Sequence, residues 1–150
     1  MKREIKFRGK RSKDDEWVYG GLVYRLPKHP EIIINEYITH QNGECEDNFV
    51  FYQDIYEDSV GQFTGLHDKN GKEIYEGDIV NFDDSPYSVY AHSYTGKVVF
   101  FKGQFCVEHY ENCFTTVFYT PLFKDDFADK KTTVLGNIHD NPELLKGGQE

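Results

Sequence analysis

A short hairpin signal in the middle of the chain constrains the fold more than any other feature. Asn70-Gly71 lies between two runs rich in apolar residues, and both residues tolerate the positive φ that a tight two-residue turn requires. Asp68 is placed to close the turn through its side chain. The sequence therefore predicts a strand at 59–66, a turn at 67–72 and a returning strand at 73–82.

Similar short runs of Tyr, Phe, Ile and Val alternate with turn residues along the rest of the chain. Aromatic residues make up 16% of the sequence, and such side chains fit a pleated, half-buried sheet. Asn141-Pro142-Glu143 indicates a helix start, because Asn can cap a helix and Pro suits its first position. The predicted fold is mostly β, a small barrel-like or sandwich-like domain of short antiparallel strands with a short C-terminal helix. The other predicted strands are 3–8, 17–26 (with a bulge or bend at Gly20-Gly21), 31–39, 48–56, 97–101, 104–110, 115–123 and 134–138.

Length and cysteine content set the class of protein. A chain of 150 residues has the usual size of one domain, so we predict a single domain over 1–150. The odd number of cysteines, at Cys45, Cys106 and Cys113, argues against a disulfide framework. No signal peptide or apolar stretch of ~18 residues is visible. We expect a cytoplasmic protein with no membrane partner.

Charge is distributed very unevenly along the sequence. Residues 1–28 carry nine Lys or Arg and four Asp or Glu, whereas residues 29–68 carry nine acids and no Lys or Arg. The net charge of the whole chain is −9. A basic segment followed by an acidic one suggests mutual attraction, within one chain or between two chains. The alternative is that both segments are simply solvated.

Three blocks of sequence carry a family resemblance. The first is Arg3-Glu-Ile-Lys-Phe-Arg-Gly-Lys-Arg11 followed by Trp17-Val-Tyr-Gly20. The second is Gln62-Phe-Thr-Gly-Leu-His-Asp-Lys-Asn-Gly71 running into Ile74-Tyr-Glu-Gly-Asp-Ile-Val80. The third is Val134-Leu-Gly-Asn-Ile-His-Asp-Asn-Pro-Glu-Leu-Leu145. In this order and spacing they resemble the YopX family of bacteriophage and prophage proteins. The resemblance implies a mostly β fold, a mobile-element origin, a bacterial host cytoplasm and a homo-oligomer, and it supplies no catalytic residues.

Catalytic and metal-binding patterns are weak. Cys106, His109 and Cys113 lie close in sequence, but the period of two on a strand directs Cys106 and His109 to opposite faces. The pairs His67-Asp68 and His139-Asp140 could serve a small hydrolase, since a histidine beside a carboxylate can act as a general base. Both pairs fall at turns. We predict no enzyme activity, no metal and no cofactor.

Two candidate binding surfaces remain. Turn geometry and core packing leave four polar residues of the hairpin unexplained, and these could face one another as a binding surface: Gln62, Thr64, Glu76 and Asp78. The predicted function is that of a phage or prophage accessory protein that acts by self-association and by binding an unknown protein partner. The alternative is nucleic-acid binding by the basic strand Lys2–Lys13, through Lys6, Arg8, Lys10 and Arg11, which the net negative charge opposes.

Overall fold

The chain divides into two compact units, Met1–Gln62 and Phe63–Glu150, and each is described by itself. A computed structural model describes residues 4–25, 29–39, 45–83, 93–110, 116–123 and 127–148. No helix among these residues is both long enough and apolar enough to cross a membrane. The division says nothing about whether the units fold independently, so the single domain over 1–150 stays a prediction.

The first unit is an antiparallel sheet in the order β4-β3-β2-β1, with the first two residues of β5 paired to β1. Val18, Ile32 and Ile55 are buried on one face, with Phe7 and Leu22 packed against them. Burying one such side chain fully stabilises the folded state by about 1.5–3 kcal/mol. The face that carries these residues is therefore the inner face of the sheet. The strands are β1 (Phe7–Lys10), β2 (Trp17–Arg25), β3 (His29–Thr39), β4 (Cys45–Asp54) and β5 (Gly61–His67), and a 3₁₀ turn covers Glu57–Ser59.

The hairpin of β3 and β4 is longer than the strand beside it. The β3–β4 ladder runs from Glu31↔Asp54 to Thr39↔Cys45, whereas β2 pairs with β3 only as far as Gly21↔Ile33. From Gly20 towards its start, β2 pairs with β1 instead. Within the described residues, 34–39 and 45–50 are therefore a two-stranded ribbon that extends about 20 Å past its last pairing with β2. We call these two described segments, residues 34–39 and 45–50, the arm.

The second unit is built on a five-stranded antiparallel sheet in the order β10-β9-β8-β7-β11. Its core contains Phe82, Val98, Phe105 and Val107 from the sheet, and Ile74 of β6 belongs to the same buried cluster. Leu122 and Ala128 complete the cluster. The elements are the end of β5, β6 (Glu73–Tyr75), β7 (Asp78–Asp83), β8 (Ser93–Phe101), β9 (Gln104–Tyr110), β10 (Val117–Pro121), α1 (Phe127–Lys131), β11 (Thr132–Asn137) and a 3₁₀ helix at Pro142–Gly148.

The mostly β, antiparallel fold is confirmed, and its sandwich-like form fits better than the barrel-like one. In the second unit, β6 and the half-buried Leu66 of β5 pack on one face of the five-stranded sheet. In the part of the chain that the structure describes, β10 and β11 lie at opposite edges of that sheet and no ladder joins them. The sheet is therefore not closed into a barrel. The predicted C-terminal helix is present as the 3₁₀ helix Pro142–Gly148.

The prediction of one continuous returning strand was wrong. The predicted return at 73–82 is interrupted by a turn at Glu76-Gly77, which separates β6 from β7. Gly77 has φ of +85°, a conformation that strands do not use and that glycine adopts readily. The chain therefore leaves the hairpin after Tyr75 and enters the five-stranded sheet as β7.

Candidate functional site

The structure places two of the four predicted hairpin residues in the interior. The Thr64 hydroxyl donates to the carbonyl of Ile74 at 2.8 Å and accepts the backbone N–H of Leu66 at 3.2 Å. The Asp78 carboxylate accepts the backbone N–H of Tyr75 at 2.8 Å. Both side chains are buried. Their oxygens therefore fix the local backbone and do not form a surface.

The other two predicted residues do not complete a row across the hairpin. Gln62 is half-buried and pairs with Phe7 in the first unit. Glu76 is half-buried in the turn after β6. The β5–β6 ladder joins Phe63 to Tyr75 and His67 to Glu73, so Glu76 and Asp78 lie beyond it. The returning strand ends at Tyr75, one residue before Glu76, and a binding role for Gln62 and Glu76 stays a prediction.

Asp68 organises the turn that the sequence singled out. Its Oδ1 accepts the backbone N–H groups of Asn70 and Lys72 at 2.8 and 2.9 Å, and its Oδ2 accepts that of Val134 at 2.9 Å. Burial alone would raise the pKa of this carboxyl. The three backbone hydrogen bonds and the Lys72 charge outweigh burial, so its pKa lies below the usual value. The predicted closure of the turn by Asp68 is confirmed.

In both histidine–acid pairs the carboxylate accepts hydrogen bonds from other groups of the chain. His67 lines a cleft of about 300 Å³ in the second unit, with Leu66, Leu122 and Phe123 as apolar walls and Asp129 at its edge. The neighbouring Asp68 carboxylate, however, is directed to the backbone N–H groups described above. His67 therefore lies at a cleft, as a hydrolase would require. The Asp68 carboxylate next to it in sequence is engaged with backbone N–H groups, which weakens the hydrolase hypothesis.

The second pair is held by local structure as well. Asp140 accepts a hydrogen bond from the Asn137 side-chain amide at 3.0 Å, and the backbone N–H of His139 donates to Asn137 Oδ1 at 3.0 Å. Asn137 thus organises the turn after β11. The backbone of His139 and the carboxylate of Asp140 both take part in this turn.

Two of the three residues weighed as metal ligands, Cys106 and His109, lie on opposite faces of β9. Alternation along β9 puts Phe105, Val107 and His109 on one face and Cys106 on the other, as predicted. His109 is buried among the rings of Phe82 and Tyr94, and burial raises the pKa of the Cys106 thiol. Cys113 lies outside the described residues. Within those residues, no group of three or more His, Cys, Asp or Glu is arranged to hold a metal ion.

The four predicted nucleic-acid contacts each have a partner in the first unit. Lys6 forms an ion pair with Glu4 at 3.2 Å. The Arg8 guanidinium lies 4.6 Å from the centre of the Trp17 ring, and the Lys10 ammonium lies 5.9 Å from it. Such cation–π contacts engage the positive charge with an aromatic face.

Arg11 is bound most firmly of the four. Its Nε and Nη2 donate to the two carboxylate oxygens of Asp14 at 2.8 and 2.6 Å, and its Nη1 donates to Gln53 Oε1 at 3.2 Å. The hydrogen bond from Arg11 is the main reason that the pKa of Asp14 lies below its usual value. These three hydrogen bonds join the β1–β2 turn to Gln53 of β4, so the Arg11 guanidinium is already engaged within the first unit.

Residues of the types found in binding sites lie on a surface other than the two predicted from the sequence. On the face of the first unit's sheet opposite its core, three neighbouring strands present five residues that we call the Arg25 face. Gly21 pairs with Ile33 and Ile33 with Tyr52, so these three form one row across the sheet. The face consists of Tyr19, Gly21, Arg25, Ile33 and Tyr52.

Arg25 is held in place on this face. Its guanidinium lies 4.0 Å from the centre of the Tyr52 ring, and its Nε forms a 3.0 Å ion pair with the buried carboxylate of Glu31. The Arg25 side chain is still 56% exposed, and Tyr19 and Tyr52 are each 46% exposed. Sequence reasoning missed this face. The signal was the period of two that puts Tyr19, Gly21 and Arg25 on one side of β2.

Comparison with known proteins identifies the family and the fold. The sequence profile of the family described as YopX protein matches residues 6–146. The crystal structure of protein EF1440 from Enterococcus faecalis is similar, with 23% identity, a TM-score of 0.57, and 96% of this chain and 99% of that chain covered. At this identity the likeness shows the fold alone. No protein of curated function gives a significant match. The resemblance predicted from the three sequence blocks is confirmed.

Proposed function

The chain belongs to the YopX family, and from that premise we propose that it is a non-enzymatic phage or prophage accessory protein that acts by self-association and protein binding. We place this activity in the cytoplasm of a bacterial host. The Arg25 face is the observation that carries the proposal. Tyrosine and arginine are enriched at the energetic centres of protein interfaces, and the half-buried Ile33 adds apolar area between them.

The order of the Arg25 side chain strengthens this argument. Immobilising a flexible side chain on binding costs about 0.5–1.5 kcal/mol. Because Tyr52 and Glu31 already hold Arg25, much of this cost is met before a partner arrives. The Asp68 and Asp140 carboxylates both accept hydrogen bonds from other groups of the chain, which supports a role in binding.

The experiment compares self-association of the wild-type chain with that of Arg25→Ala/Tyr52→Ala. We expect the wild type to form an oligomer at micromolar concentration in low and moderate salt. The double variant should weaken its association constant about tenfold or more, which corresponds to about 1.4 kcal/mol. The readout is molar mass by light scattering after size-exclusion chromatography, with circular dichroism as a check of folding.

Tyr110→Ala is the matched control, because Tyr110 is an exposed tyrosine of the second unit. It should leave association unchanged. A wild-type chain that stays strictly monomeric would overturn the proposal. A double variant that associates as well as the wild type would show that the Arg25 face is not the surface through which the chain self-associates.

A further inference from the structure

Strand β5 has a bulge beside the cleft of the second unit. Its ladder with β6 shifts register, so that residues 64–66 stand opposite the single residue Ile74. The Thr64 hydroxyl holds this bulge in place, because it donates to the carbonyl of Ile74 at 2.8 Å and accepts the N–H of Leu66 at 3.2 Å. Bulges are frequent beside functional sites, where they re-aim side chains. Here residues 65–67 form one wall of the cleft.

The rest of the cleft combines fixed apolar walls with open space. Its volume is about 300 Å³, the size at which small-molecule sites begin. Leu122 and Ala128 line it and belong to the buried core of this unit, whereas Phe123 lines it and is 55% exposed. Gly65 has φ of +84°, and a Cβ placed there would meet no described heavy atom within 4 Å outside its chain neighbours. The cleft therefore has room for a ligand and an exposed ring to contact it.

Two polar side chains lie at this cleft. His67 lines it, and its ring makes an edge-on contact with the buried ring of Phe63, with 5.7 Å between the ring centres, which orients the imidazole. Asp129 of α1 is exposed and supplies a carboxylate. A neutral imidazole has one accepting nitrogen, and a carboxylate only accepts. Both groups therefore favour a ligand that donates hydrogen bonds.

Charge indicates the sign of the ligand. The second unit, residues 63–150, carries eight Lys and fourteen Asp or Glu, a net charge of −6. A field of this sign raises the local concentration of cations. Lys130 and Lys131 follow Asp129 on α1, and neither is among the described residues that line the cleft. The charge at the cleft and the charge of the unit thus both favour a cation.

We infer that this cleft binds a compact aromatic molecule that carries an ammonium group. The ring of the ligand lies against Phe123 and the apolar walls, where aromatic rings stabilise one another beyond the area that they bury. The ammonium group donates to the Asp129 carboxylate, and His67 provides a second acceptor. Binding at this cleft is separate from the self-association proposed above, and neither depends on the other.

The first test uses three probes that share a ring and differ in charge. Benzylamine is a cation, benzyl alcohol is neutral and phenylacetate is an anion, and each is titrated into the isotope-labelled full chain while backbone amide shifts are followed by NMR. We expect benzylamine to move the amide signals of residues 65–67 saturably in the millimolar range. Benzyl alcohol should bind about two- to fivefold more weakly, as expected for the loss of one exposed ion pair, and phenylacetate more weakly still. The absence of a saturable shift with benzylamine would overturn the proposal, and so would phenylacetate that binds as well as benzylamine.

The second test separates the two parts of ligand recognition. Asp129→Asn should weaken benzylamine binding about two- to fivefold and leave benzyl alcohol unchanged, whereas Phe123→Ala should weaken the binding of both probes about three- to tenfold. Asp83→Asn and Tyr110→Ala change exposed residues of the second unit that are not among the described lining of the cleft, so they are matched controls and should bind as the wild type does. The same spectra show whether each variant is folded. Benzylamine binding that neither Asp129→Asn nor Phe123→Ala weakens would mean that the probe binds elsewhere, which contradicts the proposal.

Discussion

The Oδ2 atom of Asp68 accepts the backbone N–H of Val134 at 2.9 Å, across a separation of 66 residues. The other carboxylate oxygen closes the Asn70-Gly71 turn. One buried side chain therefore ties the hairpin turn to β11 within the second unit. This contact explains why an acid stands before the turn, where the turn geometry alone would accept several other polar residues.

Asp68→Asn should destabilise the protein by about 2 kcal/mol, because charge-assisted hydrogen bonds to backbone N–H groups are weakened or lost. The folded-state pKa of Asp68 is lowered. Its contribution is thus present above the unfolded value of about 3.9 and is lost as pH falls through the folded value. Chemical denaturation at several pH values should show a shallower loss of stability with acid in the variant. The exposed Asp83→Asn should keep the wild-type acid profile, and an unchanged Asp68→Asn profile would contradict the assigned contacts.

Gly20→Ala and Gly21→Ala should differ sharply although the residues are adjacent. A Cβ at Gly20 would lie 2.0 Å from the Ile33 carbonyl oxygen, which is backbone, whereas a Cβ at Gly21 meets only Ile33 Cβ at 4.0 Å. We expect Gly20→Ala to cost about 2 kcal/mol or more through strain and Gly21→Ala to be within ~0.5 kcal/mol of the wild type. Thermal and denaturant unfolding measure both. Equal stability of the two variants would show that β2 and β3 are not in this register.

Asp14 should titrate below its usual pKa by NMR, because Arg11 donates two hydrogen bonds to its carboxylate. Arg11→Gln should return the pKa of Asp14 towards the ordinary value, since the charge and the fork are both removed. Lys13→Gln is a matched control, because Lys13 acts on Asp14 only through its nearby charge, and its effect should be much smaller. A wild-type Asp14 with an ordinary pKa would show that the fork does not persist in solution.

Single-stranded DNA or RNA should bind weakly, if at all, at ~50 mM salt, where phosphate contacts are strongest. The reason is that Lys6, Arg8, Lys10 and Arg11 each engage an acid or a ring within the first unit. Fluorescence anisotropy of labelled oligonucleotides is the measurement. Salt-sensitive binding that disappears in Lys6→Glu/Arg8→Glu would favour the nucleic-acid alternative over protein binding.

Local turn chemistry was predictable from the sequence. The turn at Asn70-Gly71 forms with positive φ at Gly71, and the turn between the predicted strands 97–101 and 104–110 has positive φ at Lys102 and Gly103. The strand at Gln104–Tyr110 has the predicted bounds. These features depend on neighbouring residues, so one stretch of sequence is enough to specify them.

Contacts between distant segments were not predictable. The hydrogen bond of Asp68 to Val134, the ring contact of Arg25 with Tyr52 and the departure of the arm from β2 all depend on which strands become neighbours. The predicted binding residues Thr64 and Asp78 were polar without a visible local reason. Their reason is a nonlocal one, the satisfaction of backbone groups inside the second unit.

Self-association is the central claim, and sedimentation velocity of the wild-type chain over the micromolar range tests it most directly. At low and at moderate salt, we expect a sedimentation coefficient that rises with concentration towards that of an oligomer. A single species with the mass of one chain, at every concentration and in both salts, would contradict it.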